Sequence, residues 1–163
     1  PDDIRQMFFM EYKQSKENSV QNLEIAECSL QDAEKLFPLH ISYTQEEVLP
    51  EWKKINLALE RLKLEKILRT QKVLAVKQKN SFCAKAQTNA ISKNFIQIGG
   101  VFTKKEFRSK GLASCLVKKL AEEFQTENKK SVLFVNKKNK PAICAYKKAG
   151  FEAFEKYEML YYK

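Results

Sequence analysis

The sequence contains a single histidine, His40, and only four glycines in 163 residues, against roughly 7% glycine in ordinary proteins. One histidine excludes a metal site built from several imidazoles. It also leaves any hydrolase of the Ser/His/Asp or Cys/His type dependent on that one residue, and no nucleophile motif accompanies it. We therefore expect His40 to be structural.

Cysteine is scarce as well, and its spacing excludes two further classes of site. Cys28, Cys83, Cys115 and Cys144 lie far apart and form no Cys-x-x-Cys pair. A zinc knuckle and a thioredoxin-type dithiol both require such a pair. The pattern predicts free, mostly buried thiols and no metal site.

Long apolar stretches are also missing from the sequence. No segment approaches the roughly 18 apolar residues of a membrane-spanning helix, and PDDIRQMFFMEYKQ lacks the basic-then-apolar pattern of a secretory signal. We therefore expect a soluble, cytoplasmic protein with no membrane partner. The chain begins at Pro1 rather than methionine, which is compatible with an upstream domain. The oligomeric state is left open.

The residues that are abundant indicate one domain with a strongly basic surface. Apolar residues make up 44% of the chain and include 11 Phe and 6 Tyr, enough for a single full core. Lys and Arg number 30 against 20 acidic residues, which gives a net charge of +10. Such a field attracts phosphates on nucleic acids, anionic lipids or a nucleotide cofactor without distinguishing among them.

The first half of the sequence gives an uneven pattern of elements. Residues 1–22 are predicted to be an N-terminal extension or the end of an upstream segment, and residues 23–163 to be one domain. Pro38 is expected to interrupt or end a helix through DAEKLF. The next helix is predicted to carry an approximate apolar stripe of Trp52, Ile55, Leu59, Leu62 and Leu64 or Ile67. KVLAVKQ, SFCAKAQTNA and NFIQIGGVFT read as three successive strands.

The second half alternates clearly between helix and strand. LASCLVKKLAEEFQ repeats apolar residues at intervals of three and four, as an amphipathic helix does. SVLFVN follows as a strand, NKPAICAYKKAG as a helix and FEAFEKYEMLYY as a final strand or hairpin. The order predicts an α/β unit with crossover helices.

Three of the four glycines fall within GGVFTKKEFRSKGLAS, residues 99–114. Gly99 and Gly100 lie inside a predicted strand, where glycine marks a bulge or the close approach of another molecule. Gly111 lies where the chain enters a helix, whose first N–H groups bind anions. Arg108 and Lys110 flank it. The loop is therefore predicted to bind a pyrophosphate group.

Two motifs resemble the GNAT superfamily of N-acetyltransferases. The glycine loop matches neither a Walker loop nor a dinucleotide fingerprint. Arg108-x-x-Gly111-x-Ala113, after a strand ending Val-Phe-Thr, resembles the acyl-CoA signature of that superfamily. Asn139-x-x-Ala142-x-x-x-Tyr146, ending in Gly-Phe, is similar to its second hallmark. The resemblance covers about residues 23–163 and is specific over 96–151.

The resemblance implies a GNAT fold, an α/β (α+β) architecture. Its central twisted sheet is mixed but mostly antiparallel, is flanked by helices, and has a splayed strand pair that holds acyl-CoA. The implied cofactor is acetyl-CoA, whose pantetheine arm would pair with the strand that carries the glycine pair. The implied cofactor-binding residues are Gly100, Val101, Phe102, Thr103, Arg108, Ser109, Lys110, Gly111, Leu112, Ala113, Ser114, Asn139, Ala142 and Tyr146.

The resemblance also implies direct attack of an amine acceptor on the thioester. The Val101 backbone N–H is the expected oxyanion donor. Tyr146 is the expected general acid, because its phenol can protonate a departing thiolate, although an inward-packed structural role is compatible with the same position. Glu46 and Glu47 are candidate bases or a solvated charged pair, and His40 is a third candidate. The positive field disfavours polycationic acceptors.

Two other functions stay open at this point. A GNAT-like domain can bind acyl-CoA as a non-catalytic sensor or scaffold. A basic nucleic-acid-binding module is also compatible with NKKNK and the scattered lysines. The sequence has only four arginines and no RNA-reading aromatic motif, which disfavours the nucleic-acid reading.

Overall fold

In the computed structural model, which describes residues 1, 3–14 and 22–162, seven strands form one sheet flanked by helices. The strands are β1 (Asp3–Tyr12), β2 (Ile25–Glu27), β3 (Val73–Gln78), β4 (Ser81–Ile91), β5 (Phe95–Thr103), β6 (Lys130–Asn136) and β7 (Phe151–Tyr161). The α-helices are α1 (Ala33–Tyr43), α2 (Leu57–Thr70), α3 (Leu112–Gln125) and α4 (Lys140–Ala149).

The sheet has the strand order β2-β3-β4-β5-β6-β1-β7. Every neighbouring pair is antiparallel except β5 and β6, which run parallel because α3 forms the crossover between them. The predicted GNAT fold, with a mixed and mostly antiparallel sheet, is confirmed.

Part of the predicted N-terminal extension lies inside the sheet. Residues 3–12 form β1, which pairs with β6 on one side and β7 on the other. Met10 and Tyr12 are buried in the core, so this segment is an integral strand rather than an appendage. Residues 15–21 of the same predicted extension lie outside the described residues.

The helices cover the two faces of the sheet and divide the core in two. The face under α3 and α4 is packed with side chains that include Leu116, Leu120 and Leu133. The opposite face is covered by α1 and α2, where Leu36, Leu39, Leu64 and other buried residues meet. The amphipathic pattern of α3 predicts its buried face correctly, because Lys118 and Lys119 turn away from Leu116 and Leu120.

Two helix predictions in the first half are wrong. Pro38 lies inside α1, which continues without a break to Tyr43. The Trp52, Leu59 and Leu62 side chains of the predicted stripe are exposed, whereas its Leu64 is buried together with Leu68, which the stripe did not include. The buried face of α2 also includes a charged residue, which an apolar stripe does not predict. Glu60 of α2 is buried as well, because its carboxylate accepts a hydrogen bond from Lys63 and contacts His40.

The predicted free thiols are found, but only half of them are buried. Cys28 and Cys83 are buried, Cys115 is partly buried and Cys144 is exposed. Within the described residues, no group of three His, Cys, Asp or Glu side chains is placed to hold a metal ion. None of the helices in those residues combines the length and hydropathy that a bilayer crossing requires.

Candidate active site

The candidate site is a cleft that opens where the parallel strands β5 and β6 diverge. The two strands are in register only from Phe95–Lys130 to Ile98–Leu133. Both continue beyond this point, β5 to Thr103 and β6 to Asn136, without pairing with each other. The backbone that β5 presents to the gap is therefore available to a ligand that pairs like a strand.

A bulge in β5 shapes the wall of this cleft. Lys85 of β4 pairs with Phe102, and Gln87 of β4 pairs with Gly99. Two residues of β5, Gly100 and Val101, therefore lie opposite the single β4 residue between Lys85 and Gln87. Gly100 has a φ of 56°, and a Cβ there would lie 2.5 Å from Cδ of Gln87. Only glycine fits this conformation and this space, which explains the glycine at position 100.

The N-terminus of α3 also lines the cleft. Ser109 and Gly111 both adopt the left-handed conformation, with φ of 62° and 76°. Gly111 caps α3, whose first turn carries no acidic residue. The turn therefore directs N–H groups and the positive end of the helix dipole at the cleft. This geometry suits a diphosphate.

The cleft has a volume of about 530 Å³ and gathers most of the predicted site residues. Glu47 lines it, as do all of the predicted cofactor-binding residues except Lys110. Those that line it are Gly100, Val101, Phe102, Thr103, Arg108, Ser109, Gly111, Leu112, Ala113, Ser114, Asn139, Ala142 and Tyr146. Residues 41 positions apart in the sequence, such as Val101 and Ala142, thus share one surface.

Arg108 connects the glycine loop to the segment that follows α1. Its Nε donates to the Thr103 carbonyl at 2.9 Å, and its Nη2 lies 2.8 Å from Oε2 of Glu46. Glu46 is therefore held in an ion pair and is absent from the cleft lining. Lys110 also stays outside the lining, with its ammonium 5.2 Å from the centre of the Phe107 ring.

Glu46 and Glu47 both lie on a π-helical turn, Thr44–Val48, that extends α1, but their side chains have different partners. The Glu47 carboxylate lines the cleft and accepts long hydrogen bonds of 3.4 Å from the Asn139 amide. Its backbone carbonyl accepts a 2.9 Å hydrogen bond from Arg5 of β1. Of the two adjacent carboxylates, Glu47 is the one directed at the cleft.

Tyr146 lies on α4 with its ring 6.4 Å from that of Phe151, and only 7% of its surface is exposed. Burial raises the pKa of the Tyr146 phenol well above its ordinary value, and Tyr43 and Glu47 add to the increase. The phenol therefore stays protonated at neutral pH, the form that can donate a proton. Tyr146 lines the cleft and also packs in the core, a position compatible with both of the expected roles.

His40 lies on α1 and does not line the cleft. Its Nε2 is 2.9 Å from Oε2 of Glu60, and both side chains are buried. Burial lowers the pKa of His40, and the hydrogen bond to Glu60 only partly opposes this. The pair joins α1 to α2, in agreement with a structural His40.

Asn139 forms the N-cap of α4, with its Oδ1 accepting from the Ala142 N–H at 3.1 Å. We expect Asn139→Ala to lower the free energy of unfolding by about 1 kcal/mol, because the cap is lost. Urea denaturation measures this change. Asn139→Ser is the control, since it keeps an acceptor without adding a charge beside Glu47. Equal losses in the two variants would contradict the capping role.

Three side chains near the site were missed by the sequence analysis. Arg5 and Tyr43 line the cleft from β1 and α1, and Lys85 is buried behind β5. Of these three, only Lys85 could have been identified from the sequence, because it lies between two alanines in the middle of a predicted strand. A charge at such a position is unusual in a buried strand.

Comparison with known proteins agrees with this geometry. The family model of FR47-like proteins matches residues 75–160. No curated protein sequence matches the chain. Among solved structures, a protein assigned to the GNAT family of acetyltransferases from Novosphingobium aromaticivorans superposes with a TM-score of 0.72 at 19% identity. That alignment covers 96% of this chain and 63% of the other.

Two further structures were solved with ligands. A predicted acetyltransferase from Clostridium acetobutylicum, in complex with acetyl-CoA, has a TM-score of 0.65 at 17% identity over 82% of this chain and 92% of that one. AAC(6')-Iy, with the bisubstrate analogue CoA-S-monomethyl-acetylneamine, has a TM-score of 0.69 at 15% identity over 88% and 99%. The present chain spans 63%, 54% and 50% of the length of three of the structures that it resembles.

Proposed function

The chain belongs to the GNAT-related family of FR47-like proteins, and on this basis we propose that it transfers the acetyl group of acetyl-CoA to a primary amine. One observation carries the proposal. The diverging strands β5 and β6 and the glycine turn before α3 open into the same cleft of about 530 Å³. A ligand with a diphosphate at one end and an amide-containing arm at the other matches these two features.

Coenzyme A is proposed to bind with its diphosphate on the turn from Arg108 to Ser114. The left-handed residues Ser109 and Gly111 leave the first N–H groups of α3 directed at the phosphate oxygens. The pantetheine arm then runs along β5, where its amides pair with the backbone of Val101 and Thr103. Ala142 also lines the cleft and is proposed to contact this arm.

Transfer proceeds by direct attack in a ternary complex. The amine nitrogen attacks the thioester carbonyl carbon, and the Val101 N–H stabilises the negative charge that develops on the carbonyl oxygen. The carbon–sulfur bond then breaks and its electron pair leaves on sulfur. The phenol of Tyr146 gives a proton to the thiolate, and the proton that the amine loses goes to a base.

We propose Glu47, rather than Glu46, as the group that takes this proton, directly or through water. Glu47 lines the cleft, whereas the carboxylate of Glu46 is paired with Arg108. A neutral amine is needed for attack, and a free alkylamine is almost fully protonated at pH 7. A carboxylate in the cleft attracts the ammonium form of the acceptor and can accept the proton that it loses.

The proposal is tested by calorimetry with acetyl-CoA, followed by mass spectrometry of products across a panel of amines and peptides. We expect saturable binding, and an acetylated amine with free coenzyme A in equal amounts. Binding of acetyl-CoA without release of free coenzyme A in the presence of any acceptor would indicate a non-catalytic sensor. Binding of duplex or single-stranded nucleic acid at physiological salt, without binding of acetyl-CoA, would contradict the proposal in favour of a nucleic-acid module.

A further inference from the structure

Lys85 of β4 is a fully buried lysine, with none of its surface exposed. It points to the sheet face that α1 covers, and its ammonium position lies 4.9 Å from the centre of the Tyr43 ring. Among the described residues, no carboxylate forms an ion pair with it. A buried lysine without such a partner destabilises a fold, so its presence requires another explanation.

The contacts of Lys85 are to neutral acceptors on the bulged part of the sheet. Its Nζ donates to the Gly100 carbonyl at 2.8 Å and to Oε1 of Gln87 at 3.0 Å. Burial lowers the pKa of Lys85 to about 7. This shift makes the neutral form of the amine accessible near pH 7, and that form has two N–H bonds, which these two acceptors match. The side chain is therefore satisfied without a counter-ion.

The acceptor that Lys85 contacts belongs to the bulge peptide, the peptide that joins Gly100 to Val101. Neither residue has a register partner on β4 or β6, so the sheet ladder does not hold this peptide. The peptide is trans, and its N–H therefore points away from its carbonyl. Because Lys85 binds the carbonyl on the α1 side, the N–H of Val101 is turned toward the cleft that Val101 lines.

We propose that Lys85 is a positioning residue, which holds the bulge peptide so that the Val101 N–H is aimed at the thioester carbonyl oxygen. The inference rests on the proposed acetyl transfer. Lys85 itself is absent from the cleft lining, so it acts through the peptide and not on the substrate. Tyr43 lies against the same segment, because its ring centre is 4.9 Å from the Lys85 nitrogen and it lines the cleft together with Gly100.

The arrangement also accounts for Gln87. Its side chain lies beneath Gly100, where any Cβ at residue 100 would collide with it, and its oxygen accepts the second N–H of Lys85. Its Nε2 in turn donates to the Asn89 side chain at 3.2 Å. The lysine is thus held by a short polar chain along β4, which restricts where its amine can place the bulge peptide.

The test compares Lys85→Met with Cys83→Ala, a control in the same strand. Cys83 is buried against the α3 side, so the control weakens the strand without touching the Gly100 carbonyl. We expect Lys85→Met to lower kcat by about 100-fold, as a misplaced oxyanion donor does, with little change in the Kd of acetyl-CoA. The control should keep both values. Lys85→Leu, which also removes the donor, replaces the methionine variant if that variant does not fold.

The backbone amide of Val101 gives a second readout that needs no turnover. In the ligand-free protein, its ¹H–¹⁵N resonance should move or broaden in Lys85→Met and stay in place in Cys83→Ala. If the wild type is active and Lys85→Met has the same kcat, the inference is overturned. It is also overturned if the Val101 resonance does not move in Lys85→Met. A kcat and a Kd that worsen together also overturn it, since a structural defect does this. A wild type that acetylates no amine contradicts the proposed function instead, while the Val101 resonance still decides the role of Lys85.

Discussion

Replacing Gly111 by tryptophan is expected to lower the affinity for coenzyme A by more than about 100-fold. Gly111 is the cap of α3 and lines the cleft, so an indole there occupies the space in front of the first N–H groups of the helix. Two or three charge-assisted hydrogen bonds to the diphosphate would be lost, each worth about 1.5–3 kcal/mol. Because tenfold in affinity corresponds to about 1.4 kcal/mol, the loss exceeds two decades. Isothermal calorimetry with coenzyme A measures it.

Gly111→Ala is the matched control for this experiment. Its φ of 76° is unfavourable for any side chain, so both variants carry the same backbone strain of about 1–2 kcal/mol. Thermal unfolding should therefore show similar destabilisation in both. Only the tryptophan reaches far enough to displace a phosphate, so alanine should retain most of the affinity. Wild-type affinity in Gly111→Trp would remove the diphosphate from the N-terminus of α3.

Replacing Tyr146 by phenylalanine is expected to lower kcat by about 100-fold and leave the KM for acetyl-CoA nearly unchanged. The ring keeps its packing against Phe151 in the variant, and only the proton donor is lost. General acid catalysis contributes about 100-fold or more in such reactions. Steady-state kinetics with the acceptor identified in the amine screen provides the measurement.

The pH dependence supplies a further check on the same residue. A general acid works in its protonated form, so its contribution is lost as pH rises through its pKa. Because burial raises the pKa of Tyr146 above its ordinary value near 10, the wild-type kcat should show no decline from this group below pH 10. Tyr12→Phe is the control, since it removes a buried phenol that packs on Phe151 from outside the cleft. Equal rates for wild type and Tyr146→Phe would exclude the acid role.

The local pattern of residues was sufficient to predict the elements around the glycine loop. Helix α3 follows from apolar residues three and four apart, and α4 from Pro141 near its start and Gly150 past its end. The anion-binding character of the turn at Gly111 also follows locally, because a helix N-terminus carries its unpaired N–H groups wherever it lies. These predictions need only interactions between residues close in the sequence.

The different positions of Glu46, which pairs with Arg108, and Glu47, which lines the cleft, could not be predicted in this way. The two carboxylates are chemically equal and adjacent, and what separates them is Arg108, a residue 62 positions away from Glu46. The same holds for α2, where the sequence predicts Leu59 and Leu62 as buried. The burial of Glu60 depends on His40, which reaches it only after α1 and α2 have packed together.

By itself, the sequence determined that a glycine turn precedes an amphipathic helix and that a second helix carries Asn139 and Tyr146. Tertiary structure alone decided that β1 enters the sheet, that Glu47 faces the cleft and that Lys85 holds the Gly100 carbonyl. The physical reason is the range of the interactions. Helix periodicity and capping act within a few residues, whereas strand pairing, burial of charge and the direction of a bulge peptide depend on contacts between distant segments.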